Sequence, residues 1–570
     1  MTREVYNRIP AQKNLENYEE VYKNFDFNQV EQEFSWSATG RVNIAYEAVD
    51  RQVLDKGLGD KVALYFESGR REERHTFAQM AANSNKFANV LRKYDVGKHD
   101  RVAIFMPRSP ELYISFLGAV KRGAVVVPLF EAFMEEAVMD RLKDSGAIAV
   151  VTTAELRERI PVHRLPNLRH IFVIDGCGSL SRGDIPWHNE MTEADHYSDI
   201  TWVGPDEPYL LLYASGAEYR PIGVMYSHKG MVGLYTTAKW VHDLRPNDIY
   251  WCTADPGWIT GIAYGFLAPW IHGVSVVILG GRFEAEDWYK TLNKYMVTVW
   301  YSTPTAFRML IKGGNGQLGK YRLYLRHILS VGEPLTGDVL EWSLKHLNQA
   351  IYDTWWMSET GMNLICNYRC LPVKPGAIGK PVPGVVAAVI DDNGNELPPN
   401  SIGNLAIKAG WPSMFTGVWN NHEKYYEYFR HYPWFVTGDA AYRDADGYFY
   451  FQGRVDGVIN TAGKRVGPSE VEVKLAEHPA VTDAGVVGKP DPLRGEIVKA
   501  YITLGEGYDW TQELAEDIRN FIKNRLAAHA APEEIELKRI IPKTRYGKND
   551  RRILKEWALG LDKESGLIDS

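Results

Sequence analysis

The sequence predicts an α/β protein: a large N-terminal domain of parallel sheets flanked by helices, a small β-barrel-like subdomain, and a small α+β C-terminal domain. At 570 residues the chain is too long for one hydrophobic core, because single cores stop growing near about 250–300 residues. In its first part, short β-branched runs alternate with stretches of helical period, a pattern typical of parallel sheets covered by helices. From about Gly394 the pattern changes to short alternating strands separated by glycine turns.

The alternation in the first part rests on short apolar runs that read as buried strands. They are Val102–Phe105, Ala147–Thr152, His170–Ile174, Val274–Leu279 and Val297–Tyr301. Between them, Thr76–Arg92 and Pro110–Lys121 have the period of amphipathic helices. Strand and helix in this order predict a mostly parallel sheet with helices on both faces.

The segments GNLAIKAG and DGYFYFQG predict the small β subdomain that ends the large domain. A boundary is expected near Arg454–Gly457, giving a domain of residues 1–453 and a second of residues 454–570, the size of an independent small domain. The elements expected in the second domain are strands at Ala484–Val487 and Ala500–Leu504, a helix at Thr511–Leu526, and a charged basic tail at Lys538–Lys555.

Composition narrows the class of protein. The net charge of −7 argues against a nucleic-acid partner, because a protein that binds nucleic acid normally has a basic face. The 4 cysteines are too scattered for a disulfide framework or a zinc site. The first residues lack the apolar core of a secretory signal, and no apolar run approaches the roughly 18 residues of a membrane span. We therefore expect a cytoplasmic protein without a membrane partner.

The block DTWWMSETG, Asp353 to Gly361, carries the most specific chemistry. Ser358 can donate to a phosphate oxygen, Glu359 can hold Mg²⁺, and Trp355 and Trp356 can wall a small pocket. The alternative is a buried aromatic cluster with a surface glutamate. The block resembles the acyl-activating motif of the AMP-forming acyl-CoA synthetases, within the adenylate-forming ligase superfamily. In that family the tryptophan matching Trp356 closes the acyl pocket to all but acetate or a slightly larger acid.

A second block, Phe435 to Glu472, resembles the ribose-binding, hinge and CoA-side motifs of the same family. Asp439 can accept both ribose hydroxyls, and Arg454 and Arg465 can contact ribose and phosphate oxygens. The resemblance implies that Asp456 is the hinge about which a mobile C-terminal domain swings, and that CoA passes Gly463.

Two alternatives remain for single members of this block: Asp439 could cap a turn, and Arg454 could pair with Asp446.

Near the C-terminus, PKTRYGKNDRR resembles the family motif whose lysine, here Lys548, reaches into the active site for adenylation. An ammonium there can contact the substrate carboxylate and the α-phosphate together. Acetylation of Lys548 would remove its charge, so a lysine acetyltransferase and deacetylase are expected partners. The alternative is a solvated basic tail.

Earlier segments complete the expected site. Gly332-Glu333-Pro334 matches the family segment beside adenine, and Trp258–Gly261 matches the end of the acyl-pocket strand. The acyl pocket would be lined by Ile259, Thr260, Val331 and Trp356, although ordinary core packing is the alternative for each. The expected nucleotide-binding residues are Gly332, Glu333, Pro334, Asp353, Thr354, Trp355, Trp356, Met357, Ser358, Asp439, Arg454 and Arg465.

One motif departs from the family. Where the family has the phosphate loop YTSGSTGTPKGV, this chain reads YASGAEYRPIGV from Tyr213 to Val224. Hydroxyls are missing at Ala217, Glu218 and Arg220, a glycine is replaced by Tyr219, and the lysine by Ile222. Each lost charge-assisted contact is worth roughly 1.5–3 kcal/mol, and Glu218 adds repulsion toward a triphosphate.

The resemblance runs from about residue 30 to 555 and is greatest to the acetyl-CoA synthetases. It implies an acetate–CoA ligase that uses Mg²⁺, ATP and coenzyme A as cofactor and substrates. Two alternatives remain: a catalytically weak homologue that binds AMP or acyl-adenylate as a regulatory or complex subunit, and a synthetase for longer acids. Retention of Lys548, Glu359, Asp439 and Arg454 favours the enzyme.

Overall fold

The computed structural model describes residue 10 and residues 12–176, 181–214, 221–314, 316–454, 457–505, 507–543 and 549–561. The chain divides into two compact units. The first, the large unit, comprises Met1–Glu131, Leu142–Tyr213 and Gly223–Gly453. The second, the small unit, comprises Ala132–Arg141, Ala214–Ile222 and Arg454–Ser570.

The helices are α1 Tyr18–Asn24, α2 Asn28–Glu31, α3 Trp36–Thr39, α4 Arg51–Leu54, α5 Phe77–Lys93, α6 Pro110–Lys121, α7 Glu135–Ser145, α8 Ala154–Arg157, α9 Trp187–Glu193, α10 Met231–Trp240, α11 Ile259–Ile262, α12 Ala268–Ile271, α13 Ala285–Lys294, α14 Pro304–Lys312, α15 Gly337–His346, α16 His422–Glu427, α17 Pro468–Ala476, α18 Gln512–Arg525 and α19 Arg551–Ala558. No helix in the described part of the chain is both long and apolar enough to cross a membrane.

The strands are β1 Val62–Ser68, β2 Arg71–Thr76, β3 Arg101–Phe105, β4 Val125–Leu129, β5 Ala149–Thr152, β6 His170–Val173, β7 Ile185–Pro186, β8 Pro208–Ala214, β9 Ile222–Ser227, β10 Ile249–Cys252, β11 Ser275–Leu279, β12 Val299–Ser302, β13 His327–Val331, β14 Ile351–Trp355, β15 Ile365–Cys366, β16 Lys380–Pro381, β17 Ala387–Ile390, β18 Gly403–Lys408, β19 Gly417–Val418, β20 Trp434–Arg443, β21 Phe449–Arg454, β22 Ile459–Thr461, β23 Lys464–Val466, β24 Val481–Asp491, β25 Gly495–Leu504 and β26 Glu534–Leu537.

Two large sheets form the framework of the large unit. One has eight strands in the order β19-β9-β8-β4-β3-β5-β6-β7, and the other has nine in the order β16-β15-β14-β13-β12-β10-β11-β1-β2. The pairs β3/β4, β3/β5, β10/β12, β12/β13 and β13/β14 are parallel. The predicted α/β class with parallel sheets is confirmed, and each strand predicted in the first part of the chain is present within two residues of its expected start.

The two predicted helices of the first part are also present, but α6 is more deeply buried than its amphipathic pattern suggests. Every residue of α6 is buried, including Lys121, whose ammonium pairs with Asp50 at 2.7 Å. Helix α5 approaches closely at Gly118, where an added Cβ would lie 2.8 Å from the Ser84 carbonyl oxygen. An aliphatic stem and an internal ion partner therefore let a lysine occupy the core.

A core rich in tryptophan supports the nine-stranded sheet. Its buried members are Trp251, Val277, Trp288, Tyr289, Leu292, Tyr295, Val297, Trp300, Ala306, Phe307, Leu310, Ile328, Val339, Trp342 and Ile351. Helices α13, α14 and α15 contribute to this cluster, together with strands β10 to β14. The strands at whose ends the candidate site lies are thus fixed by packed aromatic rings.

The expected β subdomain is a four-stranded sheet in the order β17-β18-β20-β21. The β17/β18 and β18/β20 pairs are antiparallel, with a register shift between Asn404 and Ala406. Such a shift bends and twists a strand locally. Strand β20 carries Asp439.

The small unit contains a five-stranded sheet in the order β23-β22-β25-β24, with β26 paired to β25. Helices α17 and α18 pack on it through buried residues that include Val471, Leu475, Ile518 and Ile522.

The segment Lys538–Lys555, expected to be a charged tail, is partly helical, so that prediction was wrong for its last residues. Helix α19 starts at Arg551. Asp550 is its N-cap, and the Asp550 side chain accepts hydrogen bonds from the backbone N–H groups of Arg552 and Ile553. Leu554 and Ala558 are buried beside Ile541. The sequence signal for this helix was its set of apolar side chains on one face, which the many charged residues around them made difficult to recognise.

Candidate active site

Many of the expected nucleotide and acyl residues follow strands that end at one edge of the nine-stranded sheet. Gly332-Glu333-Pro334 directly follows β13, and Trp356 to Glu359 directly follows β14. The segment that begins at Thr253 follows β10. Because β10, β12, β13 and β14 are parallel neighbours, all these segments leave the sheet at its carboxyl edge, where α/β proteins bind ligands.

Asp353 lies near the end of β14 and is buried. Its Oδ1 accepts from the Ser330 hydroxyl at 2.6 Å and from the Thr354 backbone N–H at 3.1 Å. Burial raises the pKa of Asp353 to about 7, a shift that these two hydrogen bonds oppose and nearby Glu333 reinforces. This carboxyl group can therefore change protonation state near neutral pH.

Glu333 points toward helix α14. Its Oε2 accepts from the Thr305 hydroxyl at 2.7 Å and from the Arg308 guanidinium, with which it forms a buried ion pair. Burial raises the pKa of Glu333, and Arg308 acts in the opposite direction. The side chain thereby anchors the loop after β13 and leaves the backbone of that loop as the part able to contact a planar base. Gly332 supports this turn with a φ of 85°.

Trp355 and Asp439 connect the nine-stranded sheet to the four-stranded sheet. The indole Nε1–H of Trp355 donates to Asp439 Oδ2 at 2.7 Å. Asp439 also donates its backbone N–H to the Thr437 hydroxyl at 3.1 Å. The carboxylate that sequence analysis assigned to ribose binding thus lies beside the DTWWMSETG block.

Ser358 and Glu359 lie in a short 3-10 helix, Ser358–Thr360, which ends at Gly361 in the left-handed conformation with φ 67°. The Tyr226 hydroxyl donates to the Ser358 carbonyl at 2.7 Å, and the Tyr428 hydroxyl donates to Glu359 Oε1 at 3.0 Å. Glu359 is only 3% exposed. The alternative of a surface glutamate is therefore wrong.

Glu359 offers a carboxylate oxygen of the kind that Mg²⁺ prefers. The described residues contain no group of three or more His, Cys, Asp or Glu side chains that could hold a metal. Mg²⁺ commonly uses one or two carboxylates, several waters and substrate phosphates, and a single buried carboxylate suits that role.

The expected acyl-pocket residues come from three neighbouring segments. Val331 pairs in register with Thr354, and Trp356 follows β14. Ile259 and Thr260 begin helix α11, and the ring of Tyr264 just beyond it meets the Trp356 indole edge-to-face at 5.1 Å. Gly261 permits a close approach, since an added Cβ would lie 2.2 Å from the Asp255 carbonyl oxygen.

Several expected site residues are not among those that the structure describes. Lys548, Asp456 and the loop residues 215–220 fall outside the described residues, as does the side chain of Arg454. Asp446, the suggested alternative partner of Arg454, pairs with Lys374 at 2.6 Å.

Two further expected residues, Gly463 and Arg465, belong to the small unit. Gly463 and Ala462 both have positive φ, 74° and 51°, and connect β22 to β23. Positive φ at both central residues is typical of a two-residue type I′ hairpin, in which glycine is favoured. Arg465 lies on β23 opposite Asn460.

Sequence reasoning missed the residues that hold the site together. Tyr226, Tyr301, Arg308, Ser330 and Tyr428 each contact an expected site residue. For Ser330 and Tyr301 a signal existed, because both lie in strands that end at the same edge. No sequence pattern indicates the others.

Comparison with known proteins identifies the family. The family of AMP-binding enzymes matches residues 49–419, and its C-terminal domain matches residues 470–548. The chain belongs to the AMP-binding enzyme family, and so to the adenylate-forming ligases to which the sequence motifs pointed.

Individual proteins are also similar to this chain over most of its length. The chain is 55% identical to a protein named acetyl-coenzyme A synthetase from Bacillus subtilis, over 97% of each chain. It is 36% identical to a protein of the same name from Methanothrix soehngenii, over 92% of this chain and 83% of the relative. A crystal structure of an acyl-CoA synthetase from Brucella canis superposes with a TM-score of 0.73 at 32% identity, covering 96% of this chain and 100% of that one.

Proposed function

We propose that this protein is an AMP-forming acetate–CoA ligase, an acid–thiol ligase that converts acetate, ATP and coenzyme A to acetyl-CoA, AMP and diphosphate through acetyl-adenylate. The observation that carries this proposal is the DTWWMSETG block at the carboxyl edge of the nine-stranded sheet, joined there to Asp439. Identity of 55% to a protein named acetyl-coenzyme A synthetase over 97% of both chains supports the same conclusion.

In the proposed first half-reaction, the acetate carboxylate attacks the α-phosphorus of ATP and diphosphate leaves. Asp439 accepts from the ribose hydroxyls, and the backbone of Gly332 to Pro334 contacts adenine. Ser358 donates to a phosphate oxygen. Asp353 and Thr354 hold this segment in place through their hydrogen bonds with Ser330. Arg454 and Arg465 are assigned to ribose and phosphate oxygens.

Lys548 is proposed as the catalytic group that neutralises charge as the carboxylate approaches the phosphate. Residues 1–453 would supply the acyl and nucleotide site, and residues 454–570 the lysine loop. After adenylation the smaller domain would rotate about Asp456, so that the CoA thiolate, passing Gly463, attacks the acetyl carbonyl and releases AMP. The family match to residues 470–548, which ends at Lys548, supports this division.

Mg²⁺ is proposed to bind at Glu359, where it would neutralise phosphate charge when ATP is present. The buried position of the carboxylate and the hydroxyl of Tyr428 fix the direction of its oxygens.

Acetate is proposed as the preferred acid because Trp356 closes the pocket formed with Ile259, Thr260 and Val331. Lysine acetylation at Lys548 is proposed as its regulation, with an acetyltransferase and a deacetylase as partners. We place the protein in the cytoplasm, for which the free thiols of Cys252, Cys366 and Cys370 are suitable.

The altered loop between Tyr213 and Val224 makes one experiment decisive. The protein is incubated with acetate, CoA and Mg·ATP while AMP and acetyl-CoA are measured, and the reaction is repeated from synthetic acetyl-AMP. We expect turnover in both. Thioester formation from acetyl-AMP alone would locate a defect in adenylation, and AMP binding without either reaction would favour the regulatory homologue.

A further inference from the structure

The hydroxyl of Tyr301 lies at the centre of a buried hydrogen-bond network behind Trp356. The Trp356 indole Nε1 lies 3.2 Å from it, the Asn363 Nδ2 3.3 Å, and the Thr354 Oγ1 2.7 Å. All four side chains are buried. An indole carries a single donor, so the bond to Tyr301 fully satisfies the Trp356 nitrogen.

The chemistry of these groups fixes the direction of each bond. An indole N–H and an amide NH₂ can only donate, so the Tyr301 oxygen accepts from both Trp356 and Asn363. Its own proton then goes to Thr354, whose hydroxyl donates to the Ser330 carbonyl at 2.7 Å. Both lone pairs and the proton of Tyr301 are thereby used.

The network continues from Asn363 to His242. Asn363 Oδ1 lies 2.9 Å from His242 Nε2, and the Tyr250 hydroxyl lies 3.2 Å from His242 Nδ1. Because an amide oxygen only accepts, His242 carries its proton on Nε2. Burial lowers the pKa of His242 to about 3, which keeps the ring neutral and lets Nδ1 accept from Tyr250.

Tyr264 closes the network on its other side. Its hydroxyl accepts from the Asn363 backbone N–H at 2.8 Å, and its ring stacks on His242 at 4.5 Å with an interplanar angle of 13°. The same ring meets Trp356 at 88°. The indole is therefore held by a directed hydrogen bond and by an aromatic edge, and Asn363 contacts both supports, Tyr301 through its side-chain amide and Tyr264 through its backbone N–H.

We propose that Tyr301, Asn363 and His242 are positioning residues that hold the Trp356 indole in the orientation that closes the acyl pocket, and that they thereby set the length of acid accepted. This inference rests on the proposed function, in which Trp356 bounds the acid. A freed indole could rotate and vacate volume for further methylene groups. Residues outside the pocket would then determine specificity without touching the substrate.

The first test measures the indole itself. The chain has 17 tryptophans, so the protein is labelled with 5-fluorotryptophan and the Trp356 resonance is assigned from the spectrum of Trp356→Phe. We expect Tyr301→Phe and the nearly isosteric Asn363→Leu to shift or broaden that resonance. The control is Tyr289→Phe, which removes the hydroxyl of another buried tyrosine in the large unit and is expected to leave it in place.

The second test measures specificity as the ratio of kcat/KM for acetate over propanoate. We expect Tyr301→Phe to lower this ratio by about fivefold, less than the roughly 10–200-fold that one methylene can control, because the indole is loosened and not removed, with the KM for ATP unchanged. In a Trp356→Gly background the same change should have no further effect, because Tyr301 acts only through the indole.

The outcomes are distinguishable. An unmoved Trp356 resonance in both network variants would overturn the inference, as would a Tyr301→Phe effect that persists in the Trp356→Gly background. If the resonance moves but the unmodified protein activates no short acid, the proposed function fails while the positioning of the indole stands.

Discussion

The indole of Trp355 donates a hydrogen bond to the Asp439 carboxylate at 2.7 Å, across 84 residues of sequence. Trp355 ends β14 of the nine-stranded sheet, and Asp439 lies in β20 of the four-stranded sheet. Both groups are buried. One bond thus sets the position of the proposed ribose ligand relative to the proposed adenylation motif.

Replacing Trp355 by phenylalanine should loosen Asp439 and weaken ATP binding. A hydrogen bond to a charged group contributes about 1.5–3 kcal/mol, so we expect the KM for ATP to rise at least about tenfold with little change in the KM for acetate. Trp300→Phe, a buried indole in the core of the same sheet, is the matched control. Equal ATP dependence in the two variants would contradict the role assigned to this bond.

Lys548→Ala should abolish formation of acetyl-AMP and leave thioester formation from supplied acetyl-AMP largely unchanged. The proposed lysine offsets charge only while the carboxylate approaches phosphorus. The two half-reactions are measured separately, by diphosphate release and by acetyl-CoA formation. Equal loss of both half-reactions would contradict this role of Lys548.

The proposed regulation has its own test. Protein acetylated at Lys548 should fail to form acetyl-AMP, and normal adenylation by the acetylated protein would exclude this regulation.

Trp356→Gly should move the preference from acetate toward acids several carbons longer. Deleting the indole vacates the volume of a short alkyl chain, and each buried methylene contributes about 0.8 kcal/mol. The measurement is kcat/KM across straight-chain acids from acetate to hexanoate. An unchanged preference in a folded variant would show that Trp356 does not bound the acid.

Restoring the phosphate loop by Ala217→Ser, Glu218→Thr, Tyr219→Gly, Arg220→Thr and Ile222→Lys should strengthen ATP use and leave AMP binding nearly unchanged. Two regained contacts at roughly 1.5 kcal/mol each predict on the order of a hundredfold in ATP-dependent kcat/KM. The thioester step from acetyl-AMP is the internal control, since it lacks the β- and γ-phosphates. A gain below about threefold would show that the existing loop already supplies these contacts.

Asp353→Asn should change how stability depends on pH. The folded state raises the pKa of this carboxyl from 3.8 to about 7, so it binds the proton more tightly than the unfolded state. The resulting stabilisation is complete below about pH 4 and is lost as the pH rises through about 7, with a slope near 1.4 kcal/mol per pH unit in between. Asparagine cannot ionise.

The measurement is the difference in the free energy of unfolding between the protein and Asp353→Asn, followed from about pH 5 to 8. As the pH rises, we expect the protein with Asp353 to lose stability relative to Asp353→Asn, and the difference to level off above about pH 7. A constant difference over this range would show that Asp353 is already ionised throughout.

The sequence by itself determined the class of fold and the chemistry of the main motif. Short β-branched runs between helical stretches predict a parallel sheet, and strands such as Arg101–Phe105 lie where that pattern predicts them. The residue types of the DTWWMSETG block indicated a nucleotide, metal and acyl site, whereas its position at the end of β14 came from the structure.

The tertiary structure alone decided which side chains meet at that edge. The partners Trp355 and Asp439, Arg308 and Glu333, and Tyr226 and Ser358 lie 84, 25 and 132 residues apart. Hydrophobic periodicity reports which face of an element is buried, but it holds no information about which distant element covers that face. The buried hydrogen bonds of the site depend on strand order and sheet packing, and these arise only when the whole chain has folded.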